Sequence, residues 1–459
     1  MTRIVAVTGA SGFVGREVVS ALRARGMRVI ALGRAPTTNA FAADVATRRF
    51  DPNGAPDPSA FADADAVVHL AGESVAGRWT PEKKRAIADS RIGGTRTLVA
   101  SLRALPQPPN VLISASAVGY YGDRGDEPLT ETSMPGTGFL ADVCAAWEAA
   151  ALECEALGTR TVCMRTGIAL GSGGALKQML PPFKLGLGGP LGSGRQFVPW
   201  IDVRDLAALY CFAVESTSLT GPINAVAPDY ATNARLAQAI GAALHRPSLA
   251  PAPAFALRAI LGEFSQSLLQ SQLVIPAAAQ DAGFHWEHER LETALAAILR
   301  GASEHSYLHT FHATQVVARP LDEVFAFFSD AVNLAALTPP ALSFTLRSAP
   351  PRVERGSTIA YALRLHGLPI RWKTLIAQWD PPRRFVDVQL RGPYRLWRHV
   401  HDFRPVEGGV EVLDRVDYLI PFAPFGEVAS RRVAREIRQI FDYRREALAR
   451  LFPVETSAG

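Results

Sequence analysis

Cysteine is scarce in this chain. Four occur in 459 residues, Cys144, Cys154, Cys163 and Cys211, all in the middle third and with no CxxC pair among them. A disulfide-stapled scaffold is excluded by the length and a zinc ribbon by the spacing. Long apolar runs are missing as well: no stretch reaches the roughly 18 residues of a membrane-crossing helix, which argues against stable membrane insertion. The opening MTRIVAVTGASGFVG has one basic residue and an apolar stretch broken by glycine, where a secretory leader would have an apolar core and a cleavage site. The expectation is a cytoplasmic protein. Glycine and proline together make 70 residues, well below the quarter or so that marks low-complexity disorder.

Hydrophobic residues make up 48% and charged residues 20%, the profile of an ordinary globular chain. At roughly 150 residues per domain, its length calls for two or three cores. The net charge of +5 is unevenly spread: residues 1 to 305 carry 27 basic and 27 acidic side chains, and residues 306 to 459 carry 21 and 16. No basic run accompanies the excess, so it reads as a solvated face and no nucleic-acid partner is expected.

Residues 1 to 170 alternate short β-branched runs with helical patterns: RIVAVT, Phe13 to Arg25, MRVIAL, ADAVVHLAG, Pro81 to Leu105, NVLISAS, Phe139 to Leu157 and RTVCMRTG. Strands alternating with helices predict βαβ units around a buried parallel sheet. Thr80-Pro81 supplies a cap and a first-turn proline for the second helix. From about 171 to 300 the pattern loosens into Gly-rich loops, a strand near Pro222 to Val226 and several helices, read as a cap with a helical tail. GASEHSY, 301 to 307, reads as a linker. From 308 to about 455 one strand, a short helix (LDEVFAFFSD), a series of strands and a long terminal helix predict an α+β domain. In that last helix Val433, Ile437, Ile440, Phe441, Leu448, Leu451 and Phe452 fall on one face.

Immediately after the first strand stands TGASGFVG, with Gly9, Gly12 and Gly15 spaced GxxGxxG. Glycines there allow a tight turn and close approach to a pyrophosphate, whose charge the following helix N-terminus stabilises. Gly9, Ser11, Gly12, Phe13, Val14 and Gly15 are therefore candidate nucleotide contacts. Where an NAD-selective site would carry an acidic residue after the second strand, this chain has Arg34. A guanidinium can pair with a 2′-phosphate, so NADP (NADPH) is the expected cofactor.

These motifs resemble the extended short-chain dehydrogenase/reductase family: TGASGFVG matches its nucleotide loop, HLAG (69 to 72) its fourth-strand motif and SASAVGYYG (114 to 122) its catalytic-serine strand. LAGESVAGRWTPEKKRAIADSRIGGTRTL, FLADVCAAWEAAA, RTGIALGSGGAL and GSGRQFVPWIDVRDL more closely resemble its atypical branch, the epimerase family or sugar nucleotide epimerase-like proteins. The resemblance runs over residues 1 to about 298 and implies a Rossmann-like doubly wound α/β fold with a cap. It also implies cofactor contacts at Leu70, Ala71, Gly72 and Arg165 and a small-molecule substrate.

The parent family works with a Tyr and a Lys four residues apart beside a Ser and an Asn; the tyrosine moves a proton on the substrate oxygen while the nicotinamide exchanges hydride. The chain has only five lysines, and Trp79, Thr80, Gly173, Leu180 and Pro369 precede them by four, so no YxxxK exists. Aligned by Glu148, helix FLADVCAAWEAA places Leu140 at the tyrosine position and Cys144 at the lysine position. Ser116 keeps the serine, and Arg91 in SRIGGT replaces the asparagine. Three substitutes remain open. Tyr120 or Tyr121 could offer a phenol; Cys144 could be a thiolate or a packed thiol; Arg91 could bind a substrate anion. Trp200 and Asp202 of WIDVRDL are further pocket-edge candidates, with simple packing of Trp200 an equal alternative.

Residues 306 to about 453 resemble the START-like, or SRPBCC, helix-grip superfamily through VVARPLDEVFAFFSD, GPYRLWRHVHDFRPVEGGVEVLDRVDYLIPF and the last helix. The resemblance implies an apolar cavity for a lipid, polyketide or quinone-like ligand. His399 and His401, at i and i+2, point to one face of a strand. With no carboxylate or thiol assigned beside them they read as cavity or surface residues, and no metal is expected. Two functions stay open: an NADP-dependent oxidoreductase or epimerase-like enzyme using Ser116, Tyr120 or Tyr121 and Arg91, and a non-catalytic NADP-binding regulator or carrier.

Overall fold

Near-continuous apolar runs without polar alternation suit strands covered on both faces, and the N-terminal runs behave so. In the computed structural model Ile4–Thr8 (β1), Arg28–Gly33 (β2), Ala46–Arg49 (β3), Ala66–His69 (β4), Val111–Ala117 (β5), Arg160–Thr166 (β6) and Gly221–Ala225 (β7) form one sheet. Its order is β7-β6-β5-β4-β1-β2-β3 and every pairing is parallel. The structure describes residues 3–34, 41–42, 44–299, 308–365, 367–420 and 430–453. The chain divides into two compact units, Met1–Glu304 and His305–Gly459. The expected linker, 301 to 307, lies outside the described residues, as does the far end of the C-terminal domain beyond 453.

The side on which successive strands are added reverses between β1 and β4, and such a switch opens a crevice at the carboxyl ends of the strands. Gly9, Leu70 to Gly72 and Ser116 all stand at or just past those ends. Phe13–Ala24 (α1) follows β1. Pro81–Ala88 (α2) starts on Thr80, whose hydroxyl accepts from the Lys83 amide. It runs through a π-helical turn, Asp89–Gly93, into Gly94–Arg103 (α3). Phe139–Leu152 (α4) precedes β6.

The stretch from 171 to 300 is not a separate cap throughout. Gly221–Ala225 is the edge strand β7 of the main sheet, and Leu206, Leu209, Tyr210 and Val214 of helix Val203–Glu215 pack in the same core as Val5, Val18 and Val68. The remainder is fastened by a buried ion cluster, Arg235 against Asp229 and Glu292, with the Leu291 amide donating to Asp229. No helix among the described residues is long and apolar enough to cross a membrane.

The C-terminal unit is a seven-stranded antiparallel sheet of Leu308–Val317 (β8), Thr345–Ser348 (β9), Thr358–Leu365 (β10), Leu368–Asp380 (β11), Arg384–Arg391 (β12), Leu396–Val406 (β13) and Gly409–Leu419 (β14). The order is β8-β14-β13-β12-β11-β10-β9. Leu321–Ser329 (α5) and the long Ser430–Leu451 (α6) pack on it, joining Phe325 and Phe328 to Phe385, Phe403, Ala447 and Leu448. Ile437, Phe441 and Leu448 of α6 are buried as their spacing predicts, but Leu451 is exposed at the helix end and Arg444 is buried on the inward face. Within the two seven-stranded sheets, the strands that the sequence did not announce, β3 and β9, are four-residue edge strands, too short for an alternation to register.

His69 closes β4 completely buried, with Nδ1 2.7 Å from the Thr8 hydroxyl and Nε2 3.1 Å from that of Thr95. Burial pulls its pKa down to about 4. The unfolded chain takes up this proton below about pH 6.5 while the folded chain refuses it until about 4, so stability falls as pH drops through that window. Urea titrations should show about 2 kcal/mol lost to this group between pH 7 and pH 5, and His69→Gln should flatten the slope. An unchanged slope in the variant refutes the assignment.

Candidate functional site

The glycine loop has no room for side chains. A Cβ on Gly9, which has φ +66°, would come within 2.8 Å of the Leu70 carbonyl carbon and 2.9 Å of the Ala71 nitrogen. One on Gly15 would meet the Ala10 carbonyl oxygen at 2.8 Å. Backbone from the two central strands therefore touches directly, and the Thr8 hydroxyl accepts from the Leu70 and Ala71 amides to hold it there. No side chain caps α1, so its leading N–H groups, beginning beside exposed Ser11 and Gly12, are not consumed by the protein's own oxygens. The ring of Phe13 lies in a bed of glycine: a Cβ at Gly171, Gly173 or Gly174 would stand 2.7 Å from it.

Arg34 is exposed at the end of β2. A basic neighbour absent from the local sequence arrives through strand pairing, because Arg49 of β3 lies across from Gly33. Lys83 at 2.7 Å holds the Glu73 carboxyl below its ordinary range, with Arg91 and Arg34 adding to the effect. Arg34, Glu73 and Arg91 thus share one electrostatic neighbourhood beside Gly72.

Arg91 sits on the π-helical turn between α2 and α3. Such a turn adds a residue to a helix and rotates the side chains beyond it to a new heading. Its Nη1 donates to the Glu73 carbonyl at 2.8 Å, its guanidinium carbon lies 5.1 Å from the Trp147 ring centre, and a Cβ on Gly72 would be 3.5 Å away. The residue is half-buried and borders the same cleft edge as Gly72.

Ser116 leads inward instead. Its hydroxyl donates to Glu148 Oε1 at 2.6 Å, and Arg165 grips both oxygens of that carboxylate at 2.8 Å through Nε and Nη2. Arg165 Nη1 also donates to the Tyr121 hydroxyl at 2.9 Å and to the Glu131 carbonyl at 3.1 Å. Tyr121 in turn donates to Asn224 Oδ1 at 2.7 Å. All of Ser116, Tyr121, Glu148, Arg165 and Asn224 are buried.

Several sequence candidates change meaning in this setting. The Arg165 side chain belongs to the internal network and leaves the cofactor-contact set, because its donors are engaged by protein oxygens. Tyr121 is fully buried with its pKa pushed up to about 12, mainly by burial, so it anchors the network and is no acid at the cleft. Cys144 is buried and its thiol is likewise pushed up to about 12, first by burial and then by the Glu148 charge, which Arg91 only partly offsets. It packs as a thiol. Trp200 is buried with its indole N–H on the Asp229 carbonyl, and Asp202 caps helix Val203–Glu215 while pairing with Arg204. Tyr120 remains half-buried, its ring 3.5 Å from the Arg165 guanidinium carbon.

A cavity of about 530 Å³ opens next to Gly119 and Leu140, walled by Trp79, Lys84, Phe139 and Arg258. Leu140 therefore presents an apolar wall to this cavity. Lys84 is paired with Glu263 and lies 5.3 Å from the Phe139 ring centre.

In the C-terminal unit a second cavity, of about 180 Å³, lies between sheet and helices, lined by aromatic side chains including Tyr361, Trp372, Trp397 and Phe441. His399 and His401 reach it, together with Asp387 of β12 and Arg444 of α6. The sequence reading did not supply that carboxylate. The signal was there: Asp387 follows Phe385 in strand alternation, and Asp414 interrupts the inward series Val410, Val412, Val416.

A parallel sheet of this order, with a glycine loop at its switch point and a buried serine ending the fifth strand, defines a dinucleotide-binding protein of short-chain dehydrogenase/reductase architecture. Residues 5–225 match the NAD dependent epimerase/dehydratase family, and residues 252–298 match a domain of unknown function, DUF1731. An epimerase family protein of Mycobacterium bovis is 40% identical over 296 residues, which is 64% of this chain and 96% of that protein. Epimerase family protein YfhF of Bacillus subtilis is 34% identical, over 64% and 97%. The crystal structure of human epimerase family protein SDR39U1 (isoform 2) with NADPH superposes with a TM-score of 0.59 at 35% identity, covering 64% of this chain and 99% of that one. Through its N-terminal unit the chain belongs to the epimerase family.

Glu148→Ala would leave the Arg165 charge buried and unpaired, a loss of about 3 to 5 kcal/mol. Chemical denaturation should show that loss, and Glu148→Leu combined with Arg165→Met should regain most of it. Equal instability of the single and double variants speaks against the pair as its origin.

Proposed function

We propose that the N-terminal unit binds NADP(H) and acts as an epimerase-like oxidoreductase on an unidentified small anionic molecule. The observation that carries this reading is the side-chain-free contact between the Gly9 loop and Leu70–Ala71 at the sheet's switch point, beside an uncapped helix start. Arg34, with Arg49 on the neighbouring strand, suits a 2′-phosphate, and the similar human protein was crystallised with NADPH. The bound nicotinamide would supply hydride chemistry. Among this chain's groups, Arg91 would hold the substrate anion. The Ser116 oxygen, its proton already directed to Glu148, would accept a hydrogen bond from the substrate, while Tyr120 offers the phenol nearest the network.

A second reading, an NADP-binding regulator or carrier, draws on Leu140 and on the high pKa of Tyr121 and Cys144, which remove the usual proton donors. In either case we read the C-terminal unit as a START-like, SRPBCC helix-grip domain holding an apolar ligand, supported by its long helix over an antiparallel sheet and the cavity between them. A cavity of about 150 Å³ holds benzene, so about 180 Å³ suits a quinone-like ring or a polyketide fragment better than a whole lipid. A cytoplasmic location belongs to this reading, with no nucleic-acid partner.

Fluorescence titration of the full chain should show tighter binding of NADPH than of NADH. Arg34→Ala should weaken NADPH about tenfold, equal to about 1.4 kcal/mol, and leave NADH unchanged. Absence of NADPH binding overturns both readings. In a screen of NADPH oxidation against carbonyl compounds, turnover that falls at least tenfold in Ser116→Ala supports the enzyme; binding without turnover selects the regulator. Native mass spectrometry of the full chain should reveal a copurified compact apolar ligand, and its absence, with no uptake of added quinones, counts against the carrier role.

A further inference from the structure

We propose that Asp387, His399 and His401 form a binding site for a divalent first-row transition metal ion, such as zinc or ferrous iron, opening onto the C-terminal cavity. Each residue offers one ligand atom, and these atoms lie within 4.8 Å of one another. Asp387 Oδ2 is 3.6 Å from His399 Nδ1 and 3.2 Å from His401 Nε2. With bonds of about 2.0 to 2.1 Å, a tetrahedral ion sets its ligands about 3.3 Å apart. The two measured spacings bracket that separation.

The far sides of the rings carry the second observation. Asp414 Oδ1 is 2.9 Å from His399 Nε2 and 2.8 Å from His401 Nδ1, the latter off the line of the ring N–H. A carboxylate behind a histidine fixes its tautomer and turns the opposite nitrogen toward a metal. Here one carboxylate stands behind both rings, leaving His399 Nδ1 and His401 Nε2 directed at Asp387. Arg444, 3.8 Å from Asp414, balances the charge of that rear carboxylate. Ring packing restricts the ligands further: His401 stacks on Phe385 at 4.1 Å between centres, and His399 meets Phe441 edge-on at 5.5 Å.

Two nitrogens and one oxygen suit zinc, iron or cobalt better than magnesium or calcium, which take all-oxygen sets. Three protein ligands leave at least one position open. That position faces the cavity, so a ligand with a hydroxyl or carbonyl oxygen would complete the coordination while its ring fills the apolar space. The proposal stands on the five side chains and the cavity, independently of nucleotide binding and of the fold resemblance.

The test is titration of the chelator-treated full chain with zinc by calorimetry and with cobalt by visible absorption. One equivalent should bind, and cobalt should develop the intense d–d bands of a low-symmetry four-coordinate site. Asp387→Asn and His401→Ala should each weaken zinc at least tenfold. Asp414→Asn, which removes no ligand, should weaken it about 10- to 100-fold. Circular dichroism of each variant checks the fold, and the conservative Asp387→Asn and Asp414→Asn changes keep the test valid if His401→Ala unfolds. NADPH affinity should be unchanged throughout. The proposal is overturned if no saturable one-to-one binding occurs, if cobalt shows only the weak bands of an octahedral surface complex, or if the folded Asp387→Asn variant binds as tightly as the parent.

Discussion

The buried pairing of Arg165 with Glu148 is the constraint on which the N-terminal site depends. A guanidinium without water is tolerable only when its donors are matched by oxygens in fixed positions. Glu148 from α4, Tyr121 from the turn after β5 and the Glu131 carbonyl supply those oxygens. Matching them sets where β5, β6 and α4 end relative to each other. Ser116 is carried to the cleft floor as part of the same arrangement, and the backbone near Asn224 is drawn in through Tyr121. The polar interior beneath the cleft floor is thereby held rigid, with its donors and acceptors matched to one another.

The C-terminal unit solves a similar problem differently. Here Arg444 and the two histidines line a cavity, with the buried Asp414 carboxylate behind the rings, instead of filling a layer between strands and helix. In the N-terminal network the donors and acceptors are nearly all satisfied by each other. In the C-terminal cluster, His401 Nε2 and His399 Nδ1 lie 3.2 and 3.6 Å from the Asp387 carboxylate, between flanking aromatic rings. One cluster is closed and the other is open toward a guest.

Much of this organisation was legible in the sequence. Unbroken β-branched runs, the Thr80-Pro81 start and the glycine spacing mark local requirements, and the corresponding strands, helix and loop fall within a few residues of where those signals stand. What the sequence could not display depends on long-range pairing. Arg49 becomes a neighbour of Arg34 only through β2–β3 register, and Asp387 joins His399 and His401 only because β12 lies beside β13. For Tyr121 and Cys144 the sequence left a reactive and a packed role open, and burial selects the packed one. The Gly221–Ala225 strand reads as part of a cap because a long, loop-rich insertion separates it from β6, yet the sheet edge needed it.

Phe13 and the glycines at 171, 173 and 174 form a unit whose members are far apart in the chain but share one volume. Any added methyl group on the far side must be matched by a smaller ring on the near side, and a smaller ring alone leaves a void. Single changes at these four positions are therefore selected against individually, and a smaller ring makes room for a side chain at Gly173 alone, because Gly174 sits at φ +56° and a Cβ on Gly171 would also meet Val203. Among descendants of this sequence, residues 13 and 173 are expected to drift in concert, tying the evolution of the nucleotide loop to that of a turn some 160 residues further along the chain.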